Sequence, residues 1–576
     1  MAFLQREQQG NDLMKDDVAV GSKMQSCPPD GSKSKRKAKK GKKQFLPLPS
    51  LDSVQHKLPW RLNFSQKLGR HAIACRNIHP GQCILAEKAV QAVPAQGHAS
   101  SCCHTCLTTL PDDLHLLEGM LPNKPSKGYK RHCSPACLHA DCTASSTATV
   151  HARIPQIAAE TNCDPTLMHF ILELDAQRQH QPCDSVSSSD STQQTCKAGS
   201  EAIDAVREDP LEVITCTLAD VEALLSPFDQ NQKGWRDAVT AGCSALHQAI
   251  EQAGTYEPGT KQQLQSLAAC INANAHATGH KADTNSATGL GMYPVLSMFN
   301  HSCNPNLAHS SIGTVQYVYA VRDIKMGEQL CVHYTSLYEP RKVRQQALLR
   351  EKFFTCACER CSTPIEQSVD RFLEGISCGK GQCEEVMLKH TQADNQADVF
   401  KCVGCGNTVA GSNVEGSGPL DMEKQADDLY NHAFDVLQQQ GSAAARPVFE
   451  QVLQSCQGPG KLNPWHVRIF DCRMPAANGC RRAEDNIGAI NHVTAMINTM
   501  EFYYPYPSIE VTNLYRFLTE LYVDWACNAP SSRLASRPKR QAKETFRKFV
   551  ILQAICQGMS VADESSDDMI MRLKLS

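Results

Sequence analysis

Of the 29 cysteines in this chain, about a dozen stand at the short spacings that metal ligation requires. Cys103-x2-Cys106 is followed by Cys133-x3-Cys137. Two thiolate pairs on tight turns make a tetrahedral four-sulfur site, which suits zinc. Cys102 is an alternative to Cys103 as the first ligand. Cys378-x4-Cys383 and Cys402-x2-Cys405 form another such set, with zinc-ribbon-like spacing and knuckle glycines Gly379, Gly381, Gly404 and Gly406. Its role is structural, because protein ligands fill all four positions. Cys356-x-Cys358-x2-Cys361 places three cysteines in six residues with no fourth nearby, so a distant residue must complete that tetrahedron. The scattered cysteines, such as Cys75, Cys243, Cys270 and Cys456, read as small buried hydrophobes.

The rest of the chain must hold these clusters in place. At 576 residues it is too long for a single core, and its 41% hydrophobic and 20% charged residues are those of a globular protein of several domains. A net charge of -2 gives no global reason to expect nucleic-acid binding. No apolar run approaches the roughly 20 residues of a membrane helix, and MAFLQREQQGNDLMKDD lacks the apolar segment of a secretory signal. A nuclear or cytoplasmic location follows as the expectation, with clustered cysteines holding metal and not disulfides. Eight Lys or Arg between Lys33 and Lys43 suit a nuclear import signal, a nucleic-acid-binding tail or a solubilising arm.

From Gly69, strand-like runs flank the turn His79-Pro80-Gly81, and VQYVYAV and QLCVHY flank Lys325-Met326-Gly327. Residues 150–180 and 205–270 are predicted helical, with Val221, Leu224, Leu225 and Phe228 spaced as one apolar stripe. The segment CDSVSSSDSTQQTCKAGS between them has the composition of a disordered loop. After Pro419 the chain is predicted helical almost to its end. Val448, Phe449, Val452, Leu453 and Cys456 form one stripe, and Leu514, Leu518, Leu521, Tyr522 and Trp525 another. Helix pairs in series suggest a solenoid or small bundle. The tail ADESSDD is expected to fray.

The segment Asn300-His301-Ser302-Cys303-Asn304-Pro305-Asn306, preceded by GLGMYPVLSMF and followed by GEQLCVHY, resembles the catalytic core of SET-domain methyltransferases. Tyr334 follows Gly327-Glu328 as that family's active-site tyrosine does. The cysteine triplet stands at the family's distance, with Phe354 two residues before Cys356. LGRHAIACRNIHPGQCILAEKA resembles the N-terminal SET strands, and YKRHCSPAC the second half of a MYND zinc finger. NPWHVRIFDC and FYYPYPSIEVTNLYRFLTELY look like a tetratricopeptide-like (TPR-like) domain. A SET domain split by a cysteine-rich insert and followed by helices marks the SET-and-MYND subfamily, and the resemblance covers roughly residues 58–560. No cysteine lies between Cys106 and Cys133, so the finger lacks the first pair of its second site. His139 and Cys142 are too near Cys137 for the family spacing. One zinc is expected in this degenerate finger.

The resemblance implies an α+β chain whose SET β fold, with one segment threaded beneath another, is split by the finger. It is followed by a post-SET zinc site, a zinc-ribbon-like segment and TPR-like helices. The expected division is a disordered basic tail over 1–57, N-terminal SET strands over 58–101 and the finger over 102–142. A helical SET insertion follows over 143–273, with the loop at 183–201, then the catalytic core over 274–338. The post-SET motif takes 339–376, the ribbon-like segment 377–418 and the helical domain 419–576. By the same resemblance the cofactor is S-adenosylmethionine, contacted by Gly69, Arg70, Asn274, Asn300, His301, Tyr334 and Phe354. Here His71 replaces the second glycine of the commoner GxG turn. Cys303 becomes the fourth ligand beside Cys356, Cys358 and Cys361, for three zinc ions in all.

The resemblance also implies that Tyr334 is the catalytic residue, positioning the methyl group and the amine of a protein lysine, histone or non-histone. Tyrosine and free lysine both titrate near 10, so positioning outweighs a general-base role. Expected partners are that substrate and peptides bound by the finger or the helices. Nucleic acid is expected only through the basic tail, no membrane is expected, and the chain is expected to be a monomer. The rival reading is a catalytically inactive scaffold for protein–protein interaction in transcriptional regulation. A RING-type ligase is excluded, since no short stretch supplies eight interleaved ligands.

Overall fold

A computed structural model describes residues 48–110, 131–141, 143–179, 211–280, 287–391, 398–412 and 418–558. The basic run at 33–43, the insert at 183–201, Cys142 and the tail ADESSDD lie outside the described residues.

In chain order, the first strands are β1 (Trp60–Ser65), β2 (Gly69–Ala74), β3 (Cys83–Lys88), β4 (Ala92–Pro94), β5 (Ile214–Thr215) and β6 (Ala275–His280). Then come β7 (Ala287–Met292), β8 (Asn300–His301), β9 (Leu307–Ile312), β10 (Val315–Ala320) and β11 (Gln329–Val332). They form three small sheets, ordered β1-β2-β11-β8, β5-β3-β10-β9 and β4-β7-β6. Gly69 closes the β1–β2 hairpin with φ 64°, a left-handed conformation that suits glycine. Most pairings are antiparallel. The β8–β11 pair is parallel, with His301 opposite Val332, and so joins two segments distant in sequence.

Helices Ile154–Thr161, Pro165–Ala176, Lys233–Ala253 and Lys261–Asn274 share one core with these strands. Trp60 is fully buried there, donates its indole N–H to the Ile84 carbonyl (2.9 Å) and meets Phe299 edge-on at 5.0 Å. The site segment thus starts from a fixed ring.

The stripe expected at 221–228 is not one helix. The helix Leu218–Glu222 stops before Pro227, whose ring disfavours helical backbone in the residue ahead of it. Val221 and Leu224 are buried, Leu225 is 71% exposed, and Phe228 packs instead on Trp235.

Farther on, β12 (Ile376–Ser377), β13 (Val386–Thr391), β14 (Asp398–Cys402) and β15 (Thr408–Ala410) make a separate antiparallel sheet. Among the described residues, six helices then follow, Pro419–Gln440, Ser442–Ser455, Val467–Arg482, Asn486–Tyr503, Ile509–Cys527 and Ser532–Gln557, each packed on the next. Phe449, Val452 and Cys456 are buried on one expected stripe, and Leu514, Leu518 and Leu521 on the other. No described helix is long and apolar enough to cross a membrane.

Candidate functional site

Two segments meet at the centre of the SET-like strands, β8 with the loop after it and residues 353–361. The first is anchored by Glu87, wholly buried on β3, whose two carboxylate oxygens accept the backbone N–H groups of Val295 (2.9 Å) and Leu296 (2.8 Å). Burial pushes this carboxyl up to about 7, against those two hydrogen bonds. The second is delivered by Phe353, which ends helix Arg341–Lys352 in a left-handed conformation (φ 61°) rare for a bulky residue. The chain turns there, so that Phe354 faces His301 (6.3 Å) and Tyr334 (6.4 Å, nearly perpendicular).

His301 joins the pieces. Its Nδ1 accepts the backbone N–H of Tyr334 at 3.0 Å, so the neutral ring carries its proton on Nε2, which points at Cys303 Sγ 3.3 Å away. Burial holds this imidazole down to about 3. The Tyr334 hydroxyl donates to the Phe299 carbonyl at 2.6 Å. Burial raises its ionisation above the ordinary range, so the phenol stays protonated. Asn300 Nδ2 donates to the Leu68 carbonyl (3.0 Å), tying β8 to the turn before Gly69. Asn274 Nδ2 donates to the carbonyls of Leu225 and Cys270, both at 2.9 Å. Arg70 reaches the Ala223 carbonyl at 3.0 Å. His71 is buried, and its Nδ1 lies 3.0 Å from the Gly69 carbonyl. It sits in the β2 ladder opposite Asn63 without a positive φ, so this position needs no glycine.

The cysteines gather into three groups of four. Cys103, Cys106, Cys133 and Cys137 converge, as do Cys303, Cys356, Cys358 and Cys361, and Cys378, Cys383, Cys402 and Cys405. Sulfur–sulfur distances are 3.5 Å for Cys106–Cys133 and Cys303–Cys361 and 3.6 Å for Cys378–Cys405. A tetrahedron with zinc–sulfur bonds of about 2.3 Å has edges of roughly 3.8 Å, and a disulfide would need about 2.05 Å. These sets fit zinc and not disulfides. Cys103, not Cys102, belongs to the first set; Cys102 is buried in a bridge to Thr109. In the third set Gly381 and Gly406 adopt positive φ.

Three contributors carried no sequence signal beyond being ordinary charged residues. Glu87 is one. Asp370, fully buried, is another: it pairs with Arg344 (2.7 Å), Arg360 (2.7 Å) and Arg341 (3.2 Å). Burial opposes its ionisation, but those guanidinium groups prevail and hold its carboxyl below the usual range. Arg360 also donates to the Cys303 carbonyl (3.2 Å), so the acid braces the second cysteine set from behind. The third is Lys352, whose Nζ donates to the Ala273 carbonyl (2.8 Å) and lies 5.7 Å from the Tyr334 ring centroid.

Residues 69–335 match the SET domain family. Over 371 residues the chain is 24% identical to the SET domain-containing protein SmydA-8, isoform A, of Drosophila melanogaster, covering 62% of this chain and 67% of that one. It is 37% identical over 89 residues to the potential protein lysine methyltransferase SET6 of Saccharomyces cerevisiae (15% of this chain, 24% of that one). It is 30% identical over 144 residues to the human N-lysine methyltransferase SMYD2 (25% of this chain, 32% of that one). Apart from SmydA-8, the match spans about a quarter to a third of these relatives' own length. Over residues 69–335 the chain is thus similar to the SET domain family, its relatives include SMYD proteins, and its cysteine sets lie within and after the matched region.

Proposed function

We propose that the chain is an S-adenosylmethionine-dependent methyltransferase acting on lysine side chains of a protein substrate, with Tyr334 at the reacting centre. One observation carries this: a path from Cys303 through His301 to Tyr334 puts a candidate metal ligand, the facing rings of His301, Tyr334 and Phe354, and a half-buried phenol in one unit. The residues around this path suit the cofactor. Gly69 has nothing within 4 Å of where a Cβ would stand, which leaves room for a ligand. Asn300 and Asn274 use only Nδ2 toward protein among the described residues, leaving each Oδ1 to accept a hydrogen bond. Phe354 offers an apolar ring beside them. S-adenosylmethionine supplies, when bound, a methyl group activated by its sulfonium.

The protein's own part is placement. Tyr334 is held by Phe299 and stays a phenol, so it orients the amine and does not deprotonate it. A lysine amine with pKa about 10.4 loses its proton more readily when drawn out of water. Cys303, Cys356, Cys358 and Cys361 would hold the zinc that keeps both pocket segments together. The test is incubation of cell lysate and of purified histones with tritiated S-adenosylmethionine and the full-length protein, followed by mass spectrometry. Label on lysine side chains that depends on Tyr334 is expected. Tight cofactor binding without label would favour the scaffold.

A further inference from the structure

We propose that Glu450, Cys480 and His492 form a metal site of their own, for a divalent transition ion of the zinc class, among the C-terminal helices. They come from three consecutive helices, Ser442–Ser455, Val467–Arg482 and Asn486–Tyr503, and no short motif links them. One ligand atom of each lies within 4.8 Å of the others. Cys480 Sγ is 3.8 Å and His492 Nε2 4.0 Å from Glu450 Oε1. Around a four-coordinate ion with bonds of about 2.0–2.3 Å, such ligand atoms stand roughly 3.3–3.8 Å apart. The two edges at Glu450 are thus within a few tenths of an ångström of that range, and the Cys480–His492 edge is at most 4.8 Å.

The surroundings favour an ion over a simple polar contact. Neither ring nitrogen of His492 makes a hydrogen bond among the described residues, and Nδ1 is buried without a partner. Cys480 is wholly buried. At position 488 any side chain would collide with Asp485 Oδ2 (2.5 Å) and Cys480 Sγ (2.9 Å), and the residue there is Gly488. Both atoms thus crowd the bare Cα of Gly488, where Asp485 Oδ1 accepts the Gly488 N–H (2.8 Å) as the cap of helix Asn486–Tyr503, and the fourth coordination position is left to water.

Arg446 does not close the site. Its Nε donates to Glu450 Oε1 (2.7 Å) and its Nη2 to Asp485 Oδ2 (2.5 Å), the outer hydrogen bonding expected of ligating carboxylates. Binding releases the Cys480 thiol proton to solvent as the sulfur–metal bond forms, with no change of oxidation state. The thiolate, two carboxylates, Arg446 guanidinium and divalent ion then sum to zero, and Arg473 near His492 adds one positive charge. Such an ion would pin three helices in the domain that carries Tyr504, whose hydroxyl reaches the Pro305 carbonyl beside the SET core (2.9 Å).

Full-length wild type, Cys480→Ala and His492→Asn proteins are equilibrated with a small excess of zinc, desalted and assayed for bound metal by mass spectrometry. Each variant is expected to hold one ion fewer per chain than wild type. Cobalt added to wild type should also give visible bands of a site with one sulfur ligand, absent from His492→Asn. Equal metal content in wild type and both variants overturns the site. Cys480→Ala empties a fully buried position and can destabilise the fold, so His492→Asn, whose side chain is 13% exposed, decides if it alone is well folded. Its retention of the full metal content and of the cobalt bands overturns the proposal.

Discussion

His301 has its tautomer dictated by its neighbours: a backbone amide can only donate, so Nδ1 must accept from Tyr334 and Nε2–H must face the Cys303 sulfur. That sulfur accepts best as a zinc-bound thiolate, which couples the metal to the pocket through one ring. Tyr334 ends this path, and its hydroxyl has a protein partner already, the Phe299 carbonyl. Tyr334→Phe should therefore leave cofactor affinity, read by calorimetry, nearly unchanged while turnover falls about 100-fold or more. A fully active variant would remove Tyr334 from the reacting centre. Glu87 supports the same segment and makes a pH-dependent prediction. Its folded-state carboxyl titrates at about 7, above the 4.5 of an exposed glutamate. A raised carboxyl favours folding while protonated, so its contribution is complete below pH 4.5 and is lost as pH rises toward 7. That difference corresponds to roughly 3 kcal/mol. Relative to Glu87→Gln, wild type should lose most of this between pH 5 and 7.5 in urea unfolding. Parallel pH profiles for the two proteins would show that Glu87 does not titrate there.

At the scale of elements, the second cysteine set works as a clamp between β8 and residues 353–361. Cys303 follows His301 by two residues and Cys356 follows Phe354 by two, so one ion on both cysteines fixes both pocket walls. A structural zinc contributes on the order of 10 kcal/mol to local folding. Cys358→Ser, at a position outside the proposed cofactor contacts, should reduce cofactor binding and turnover in parallel. Cys405→Ser, in the ribbon sheet, should lower the melting temperature yet leave activity measurable in the cold. Normal cofactor binding by Cys358→Ser would break the clamp. The cysteine spacings and the Asn300–Asn306 motif made most of this legible, because metal ligands and tight turns impose local patterns. The buried braces were not legible. Glu87 and Asp370 act across 208 and 26 residues of chain, on Val295 and Arg344, and their burial is set by tertiary packing. The misread stripe at 221–228 has a local cause: apolar spacing alone suggested a helix that Pro227 forbids.

Across the whole molecule, the C-terminal helices complete the SET region's core. Ala308 of β9, Val321 just past β10, and Leu337 and Tyr338 after Tyr334 are buried in one cluster with residues of helices 467–557. Tyr504 reaches the Pro305 carbonyl two residues beyond Cys303, and the last helix runs against the turn at Gly81, where Ile555 Cα lies 3.7 Å from a Cβ built there. Burying a large apolar side chain contributes about 1.5–3 kcal/mol, so the SET region alone would forfeit several such contributions beside its reactive loop. Residues 48–418 expressed alone should therefore aggregate, or melt well below the full chain, and bind cofactor weakly. Gel filtration, thermal melts and calorimetry report the three effects. Tyr504→Phe separates the general loss from the specific contact. It keeps the ring in the core and leaves one buried carbonyl without its donor, at a cost of about 1–3 kcal/mol. Its effect should appear mainly as weaker cofactor binding, because the Pro305 carbonyl belongs to the loop that carries Cys303. A monomeric 48–418 fragment with full-chain stability and affinity would mean that the helices are only appended to a self-sufficient SET region.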